Sequence, residues 1–332
     1  MKHLSILVPK GTAIVDTIIG TYNQFRMANA FLKRSSILNE ELFEIDLVGI
    51  DKEVHTYSEY FNISPTKTID QIETTNLIII PGIVGDLEKQ IELNYAFVDW
   101  IKDQRIQYDA ELASLCRGAF ILAETGLLNG KSCATHWATH DAFKQKYPQV
   151  HLIPEKIISE DNGIYSSGGA YSFLNLLIYL IEKYYGRETA IYCAKMSEIE
   201  MDRINQNQFA IFTGQKEHTD VAIKEIQDHI ETHYSEKLSV ETLAHQAAIS
   251  SRNFVRRFKK ATFNTPLEYI QRVRVEAAKK RLESSTLNVN QVMYKSGYSD
   301  VKAFRTVFKK YTGLTPLEYR GKYNREMALA VS

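Results

Sequence analysis

A chain of 332 residues with 44% hydrophobic content is long enough for two ordinary cores. Its formal charge of zero conceals a split: residues 221–332 hold 20 Lys and Arg against 11 Asp and Glu, and residues 1–220 hold 20 against 29. The asymmetry predicts a basic module that meets a polyanion, joined to an acidic module with another task, while three scattered cysteines exclude a disulfide framework and a four-cysteine zinc site.

The N-terminal "MKHLSILVPKG" has a short apolar run stopped by a proline, unlike a signal peptide. The apolar stretch "FLNLLIYLI" (173–181) is too short to span a bilayer, which needs ~20 residues. A cytoplasmic protein without a membrane partner is expected. "LSILVP" (4–9) reads as a buried strand and "IVDTIIGTYNQFRMAN" (14–29) as a helix. "LFEIDLVGI" (42–50) and "TNLIIIPGI" (75–83) are further strands, and "YAFVDWIKDQ" (95–104) is helical. "DAELASLCRGAFILAETGLL" (109–128) runs strand, sharp turn, helix, and "GIYSSGGAYSFLNLLIYLIEKYYG" (163–186) runs strand, glycine turn, helix. Strands alternating with helices predict an α/β domain over 1–190, a mostly parallel sheet covered on both faces.

Residues 191–220 are polar and read as a linker. After them helical patterns dominate and the sequence repeats. "FVRRFKKATFNTPLEY" (254–269) matches "FRTVFKKYTGLTPLEY" (304–319) at an offset of 50, and "LAHQAAIS" (243–250) corresponds to "VMYKSGYS" (292–299). Each copy reads as helix, turn, helix and a Thr-Pro stop, with Ala247 and Gly297 where two helices cross closely. An all-α domain over 221–325 with two helix-turn-helix motifs is predicted.

On a helical wheel Phe254 and Phe258 share one face of the second helix, as do Phe304 and Phe308, and point to the core. The opposite faces are basic and rich in hydrogen-bonding groups, which suits a major groove. The expected DNA contacts are Ser251, Arg252, Asn253, Arg256, Arg257 and Lys260 in the first copy. In the second they are Lys302, Arg305, Thr306 and Lys309. One basic helix face is ordinarily just solvated surface; two duplicated copies in a basic domain favour double-stranded DNA.

Residues 221–325 resemble the AraC/XylS family DNA-binding domain, most specifically in the tail "SGYSD" followed by "FKKYTGLTPLEYR". Tyr294 stands where that family commonly has Ala, and Tyr298 where it has Phe. The resemblance implies sequence-specific DNA binding, RNA polymerase as a partner and a homodimer.

"ASLCRGAF" (113–120) places Cys116 in a strand-to-helix turn, the pattern of a nucleophile elbow; outside such a turn a small buried thiol is the plainer reading. In doubly wound sheets ligands bind beyond the strand ends. Residues 1–190 resemble the ThiJ/PfpI superfamily, relatives of class I glutamine amidotransferases, through "VDTIIG", "IIIPGI", "ASLCRGAFILAETGLLNGK", "ATHW" and "SSGGA". The resemblance implies a flavodoxin-like fold. It also implies a small-molecule site at Asp16, Gly82, Ile83, Cys116, Arg117 and His136: Asp16 as the acid approaching the cysteine, Gly82 as a backbone donor. Ile83 replaces a second glycine, and Arg117 stands where protease-like members carry the general base.

The leading expectation is therefore a DNA-binding transcription regulator that senses a small-molecule effector without turning it over, rather than an enzyme. The alternative is a cysteine-dependent amidase- or hydratase-like domain using Cys116, Asp16 and His136. A constitutive architectural DNA binder is a third, weaker reading. His136 and His140 have metal-ligand spacing, but no glutamate follows His136, so neither metal nor cofactor is expected.

Overall fold

The central strands of the acidic half are short, buried, largely apolar runs, and successive side chains point to opposite faces, so the sheet has a core on each face. The computed structural model describes residues 1–35, 40–56 and 61–324. In chain order the first half contains β1 (Lys2–Leu7), α1 (Val15–Arg34), β2 (Phe43–Gly49), β3 (Val54–Thr56), β4 (Phe61–Ile63), β5 (Lys67–Thr68), β6 (Leu77–Ile80), α2 (Leu87–Leu93) and α3 (Tyr95–Tyr108). There follow β7 (Glu111–Ser114), α4 (Ala119–Glu124), β8 (Ser132–Cys133), α5 (His140–Lys146), β9 (His151–Leu152), β10 (Ile158–Asp161), β11 (Ile164–Ser167), α6 (Ser172–Tyr185) and α7 (Arg187–Met196).

Seven strands form one sheet in the order β10-β11-β7-β6-β1-β2-β5, all parallel except the β10–β11 pair. Leu4 and Ile6 of β1 and Leu77 and Ile79 of β6 join Phe25 of α1 and Leu177 of α6 in one core. Leu7, Ile78 and Ile80 join Phe97 of α3 and Phe120 of α4 in the other. From β1 the chain passes to β2 on one side and later to β6 on the other. That reversal opens a crevice at the carboxyl ends of β1 and β6.

The chain divides between Gln206 and Asn207. The expected linker is thus not free chain. α7 continues to Met196 and buries Cys193 and Ala194 in the first core. Residues 207–220 fold with the second unit: Lys279 Nζ donates to Ala210 O, Tyr269 Oη and Gln227 Nε2 donate to Gly214 O, and Asn264 Nδ2 donates to Gln215 Oε1.

The second unit holds α8 (Val221–His233), α9 (Val240–Gln246), α10 (Ser251–Thr262), α11 (Pro266–Ser284), α12 (Val289–Lys295), α13 (Val301–Thr312) and α14 (Pro316–Tyr323). α11 serves both halves. Tyr269, Ile270 and Val273 pack with Phe254 and Phe258, and Val275, Ala278 and Leu282 pack with Phe304 and Phe308. The expected Thr-Pro stops instead begin helices. Thr265–Glu268 and Thr315–Glu318 are capping boxes with proline in the first turn. α10 and α13 end one step earlier, on the left-handed residues Phe263 and Gly313.

The tight α9–α10 turn also differs from expectation. Its left-handed residue is Ala248 (φ 54), not Ala247, and Ala248 matches Gly297 (φ 81) of the second copy. A Cβ on Gly297 would lie 2.6 Å from Tyr234 O, so glycine is required there. Among the described residues no helix is long and apolar enough to cross a membrane.

Candidate functional site

β6 and β7 are neighbours, so the turns that follow them meet. Cys116 follows β7 with φ 55, a left-handed conformation that costs a residue with a Cβ about 1–2 kcal/mol. The turn is held from three sides. Cys116 N donates to Ser167 Oγ (3.2 Å), and Thr135 Oγ1 donates to Cys116 O (2.9 Å). Gly118 tucks under β6, where a Cβ would lie 2.4 Å from Ile80 O. Gly82 faces the cysteine directly: its Cβ would stand 3.3 Å from Cys116 Cβ.

The thiol is buried, and burial pushes it above the ordinary cysteine range against the opposing pull of the Ala170 and Arg117 backbone and the Arg117 charge. Thiolate is therefore scarce at neutral pH. Arg117 is half-buried beside the turn, and among the described residues no carboxylate pairs with it. His136 caps the short turn Trp137–Thr139 by accepting the Ala138 N–H at Nδ1 (3.0 Å). Burial, then Arg117, then His140 lower its pKa to about 4. The ring is thus neutral, with Nδ1 engaged and the proton on Nε2, a poor disposition for taking a proton from a thiol.

The sequence-expected residues divide. Cys116, Gly82, Arg117 and His136 gather at one sheet end. Asp16 is exposed, and its carboxylate accepts from Tyr171 Oη (3.2 Å); it is not among the groups acting on the thiol. The Gly82 N–H donates to Thr17 Oγ1 (3.1 Å), so it is not a free donor. Ile83 is fully buried in the second core and presents no surface to a ligand. Sequence reasoning missed Thr17, Thr135, Ser167 and Gln206. The first three lie in or beside quoted motifs; Gln206 has no motif around it. Among the described residues no cluster of three His, Cys, Asp or Glu suits a metal.

In the second unit Ser251, Arg252, Arg256 and Lys260 of α10 are exposed, as are Lys302, Arg305, Thr306 and Lys309 of α13. Asn253 is half-buried and accepts from Arg256 Nη2 (2.9 Å). α11, at ~1.5 Å per residue over 19 residues, is about 28 Å long and packs against both copies. Arg257 departs from the expectation. Its Nε and Nη2 donate to both oxygens of Asp220, the N-cap of α8, at 2.9 and 2.7 Å.

A DJ-1/PfpI family model matches residues 30–183, and a helix-turn-helix domain model matches residues 243–322. The HTH-type transcriptional regulator GbdR of Pseudomonas aeruginosa is 24% identical over 301 residues, 89% of this chain and 78% of its own. The isonitrile hydratase of Pseudomonas putida is 29% identical over 150 residues, 44% of this chain and 62% of its own. Among solved structures, a ThiJ/PfpI family protein from Pseudomonas syringae covers 79% of this chain and 88% of its own at 17% identity, with a TM-score of 0.50. That likeness, with the matched family model, shows the flavodoxin-like sheet.

Proposed function

We propose ligand-controlled transcription from one premise: this chain belongs to the AraC-type helix-turn-helix regulators that carry a DJ-1/PfpI domain. It binds DNA through the second unit and regulates transcription. The finer reading is that the first unit senses a small effector at the Cys116 turn and does not consume it. The observation carrying this reading is the buried Cys116 thiol, whose burial favours the protonated form, together with a His136 whose Nδ1 is already engaged by Ala138 N. Such a pair lacks both an activated nucleophile and a free base.

The unpaired guanidinium of Arg117 favours an effector with a carboxylate, which it would bind through a planar fork of donors. Effector binding must differ between two states of the protein to change DNA binding or contact with RNA polymerase. A homodimer in the cytoplasm is part of this reading.

A second reading rests on the strained φ of Cys116, a feature that clusters at active sites, and on the likeness to isonitrile hydratase. It makes the first unit a cysteine-dependent hydratase. One experiment separates the two. A thermal-shift screen of amino acids, amines and small amides identifies a binder by mass action. Calorimetry then measures its binding to wild type and Cys116→Ser, with product analysis on the same samples and on a small isonitrile. Binding without product in both proteins is the expected result. Consumption that disappears in Cys116→Ser overturns it.

A further inference from the structure

Gln206 is the last residue of the first unit and is almost fully buried. Its side-chain amide sits among loops of the Cys116 turn. Oε1 accepts from Gly169 N (3.1 Å), and Nε2 lies within donating distance of Thr135 O (2.9 Å), Pro154 O (3.1 Å) and Lys156 O (3.2 Å). Its own backbone N–H donates to Glu155 O (2.8 Å).

Two of these partners touch the candidate site. Thr135 holds the Cys116 carbonyl through its hydroxyl and precedes His136. Gly169 packs under the His136 ring and precedes Ala170, whose backbone acts on the Cys116 thiol. The glycine pair of "SSGG" is explained by the same packing. A Cβ on Gly168 would lie 3.0 Å from the Gln206 amide, and a Cβ on Gly169 would strike the His136 ring.

On the other side of the unit boundary the chain is fastened at once. Tyr323 Oη donates to Gln208 O (3.3 Å) and Lys279 Nζ to Ala210 O (2.7 Å). Between a side chain locked into the first unit and a carbonyl held by the second lies one residue, Asn207. A joint of one residue has little contour length with which to absorb a displacement of Gln206, unlike a long flexible linker.

We infer that Gln206 is the positioning residue that couples the Cys116 site to the DNA-binding unit, by tying the Gly169 and Thr135 backbone to a joint without slack. The inference rests on the sensor reading above and names how that site is read out. Any shift of the 134–136 or 168–170 loops on binding a carboxylate effector moves the amide that both loops share. Because coupling is reciprocal, DNA bound by the second unit alters the Cys116 site in return.

The reciprocal direction allows a test without the effector. Trp137 adjoins His136, with ring centroids 5.2 Å apart, and the chain has one other tryptophan, Trp100. In a full-length Trp100→Phe background, Trp137 emission and hydrogen exchange at 168–170 are followed as a duplex is added, the duplex having been selected from a random pool by the full chain. Two variants are compared. Gln206→Met keeps the side-chain length and removes the amide. A Gly-Ser insertion of about six residues between Gln206 and Asn207 slackens the joint and alters no side chain.

The expected result is a change in both signals in the Trp100→Phe parent, lost in both variants, while duplex affinity stays within about twofold and both units still melt cooperatively. Should Gln206→Met fail to fold, the insertion alone decides. A change that survives in either folded variant overturns the inference and leaves the sensor reading intact. A parent protein that binds the duplex with neither signal moving overturns the sensor reading as well.

Discussion

The His136 ring lies flat against Gly169: a Cβ there would stand 2.1 Å from Cδ2 and 2.5 Å from Cγ of the imidazole. Neither distance is tolerable, and the ring is rigid. Gly169→Ala must therefore expel His136 from its place, breaking the Nδ1 cap on Ala138 N. Overpacking and the lost cap together are expected to cost about 2–4 kcal/mol. The released ring gains water, so its pKa rises from about 4 towards 6.5. Chemical denaturation and an NMR titration of the histidine check both.

The same ring sets a pH dependence in the first unit. Its folded pKa is depressed, chiefly by burial and next by Arg117. Above pH ~6.5 His136 is neutral in both the folded and unfolded chain, and stability is full. Between about 6.5 and about 4 the unfolded chain takes up a proton that the fold refuses, so stability falls as pH falls. The loss is about 1–2 kcal/mol, reduced from the full shift because the ring is partly solvated. His136→Gln removes this part of the profile; urea melts at pH 7 and pH 4.5 measure it. An unchanged slope in the variant refutes the assignment.

Asp220 and Arg257 give a test in the second unit. The guanidinium of Arg257, on the basic helix α10, holds the carboxyl of Asp220, the N-cap of α8, below its usual range. Asp220→Asn retains an N-cap oxygen for α8 and removes the charge that occupies Arg257. DNA affinity is expected to rise roughly two- to tenfold, with the slope of log affinity against log salt steeper by about one. Fluorescence anisotropy across a salt series measures this. An unchanged slope means that Arg257 faces away from the phosphates even when free.

Both cores and both basic helices were legible from local pattern: short apolar runs ended by Pro or Gly at β1 and β6, and a spacing of four between Phe254 and Phe258 and between Phe304 and Phe308. The Cys116 turn was legible because a strand pattern runs straight into a helix pattern. Contacts between distant segments left no such trace. Asp16 has the residue type of an acid that approaches the cysteine, yet its position in the first turn of α1 points it outward to Tyr171 while its neighbour Thr17 points inward to Gly82. Arg257 is a basic residue next to Arg256 on the same helix, and its engagement by the distant Asp220 leaves no local trace in the sequence. Ala248 and Phe263 occupy left-handed positions that the second copy fills with Gly297 and Gly313. The first copy hid its turns because it lacks the glycines that announce them. The boundary near Gln206 was hidden for a related reason: a polar stretch reads as a linker even when its amide is fully used.

The segment before α8 is structural, and that has a measurable consequence. Gly214 O accepts from Tyr269 Oη (3.0 Å) and Gln227 Nε2 (2.7 Å), both buried, and Lys216 bridges Asp228 and Glu231. Phe212 packs edge-on against Tyr269 with ring centroids 5.1 Å apart. A fragment beginning at Val221 takes Gly214 O from the Gln227 amide, leaves the Tyr269 hydroxyl only Glu231 as acceptor, loses the Asn264–Gln215 bond, removes the Asp220 cap and uncovers one face of Tyr269. Each lost buried hydrogen bond costs about 1 kcal/mol and the lost aromatic contact about as much again. A fragment beginning at Asn207 is therefore expected to be about 3–5 kcal/mol more stable than one beginning at Val221, with the ion pairs of Lys216 adding little. Both fragments keep α10 and α13, but the shorter one lacks Asp220 and so frees Arg257, which adds the contact expected of Asp220→Asn once it is folded. Urea denaturation measures the difference, and anisotropy above and below each midpoint separates folding from binding. Equal stability for the two would show that 207–220 contributes nothing to the fold, and that the short joint after Gln206 ends in slack chain.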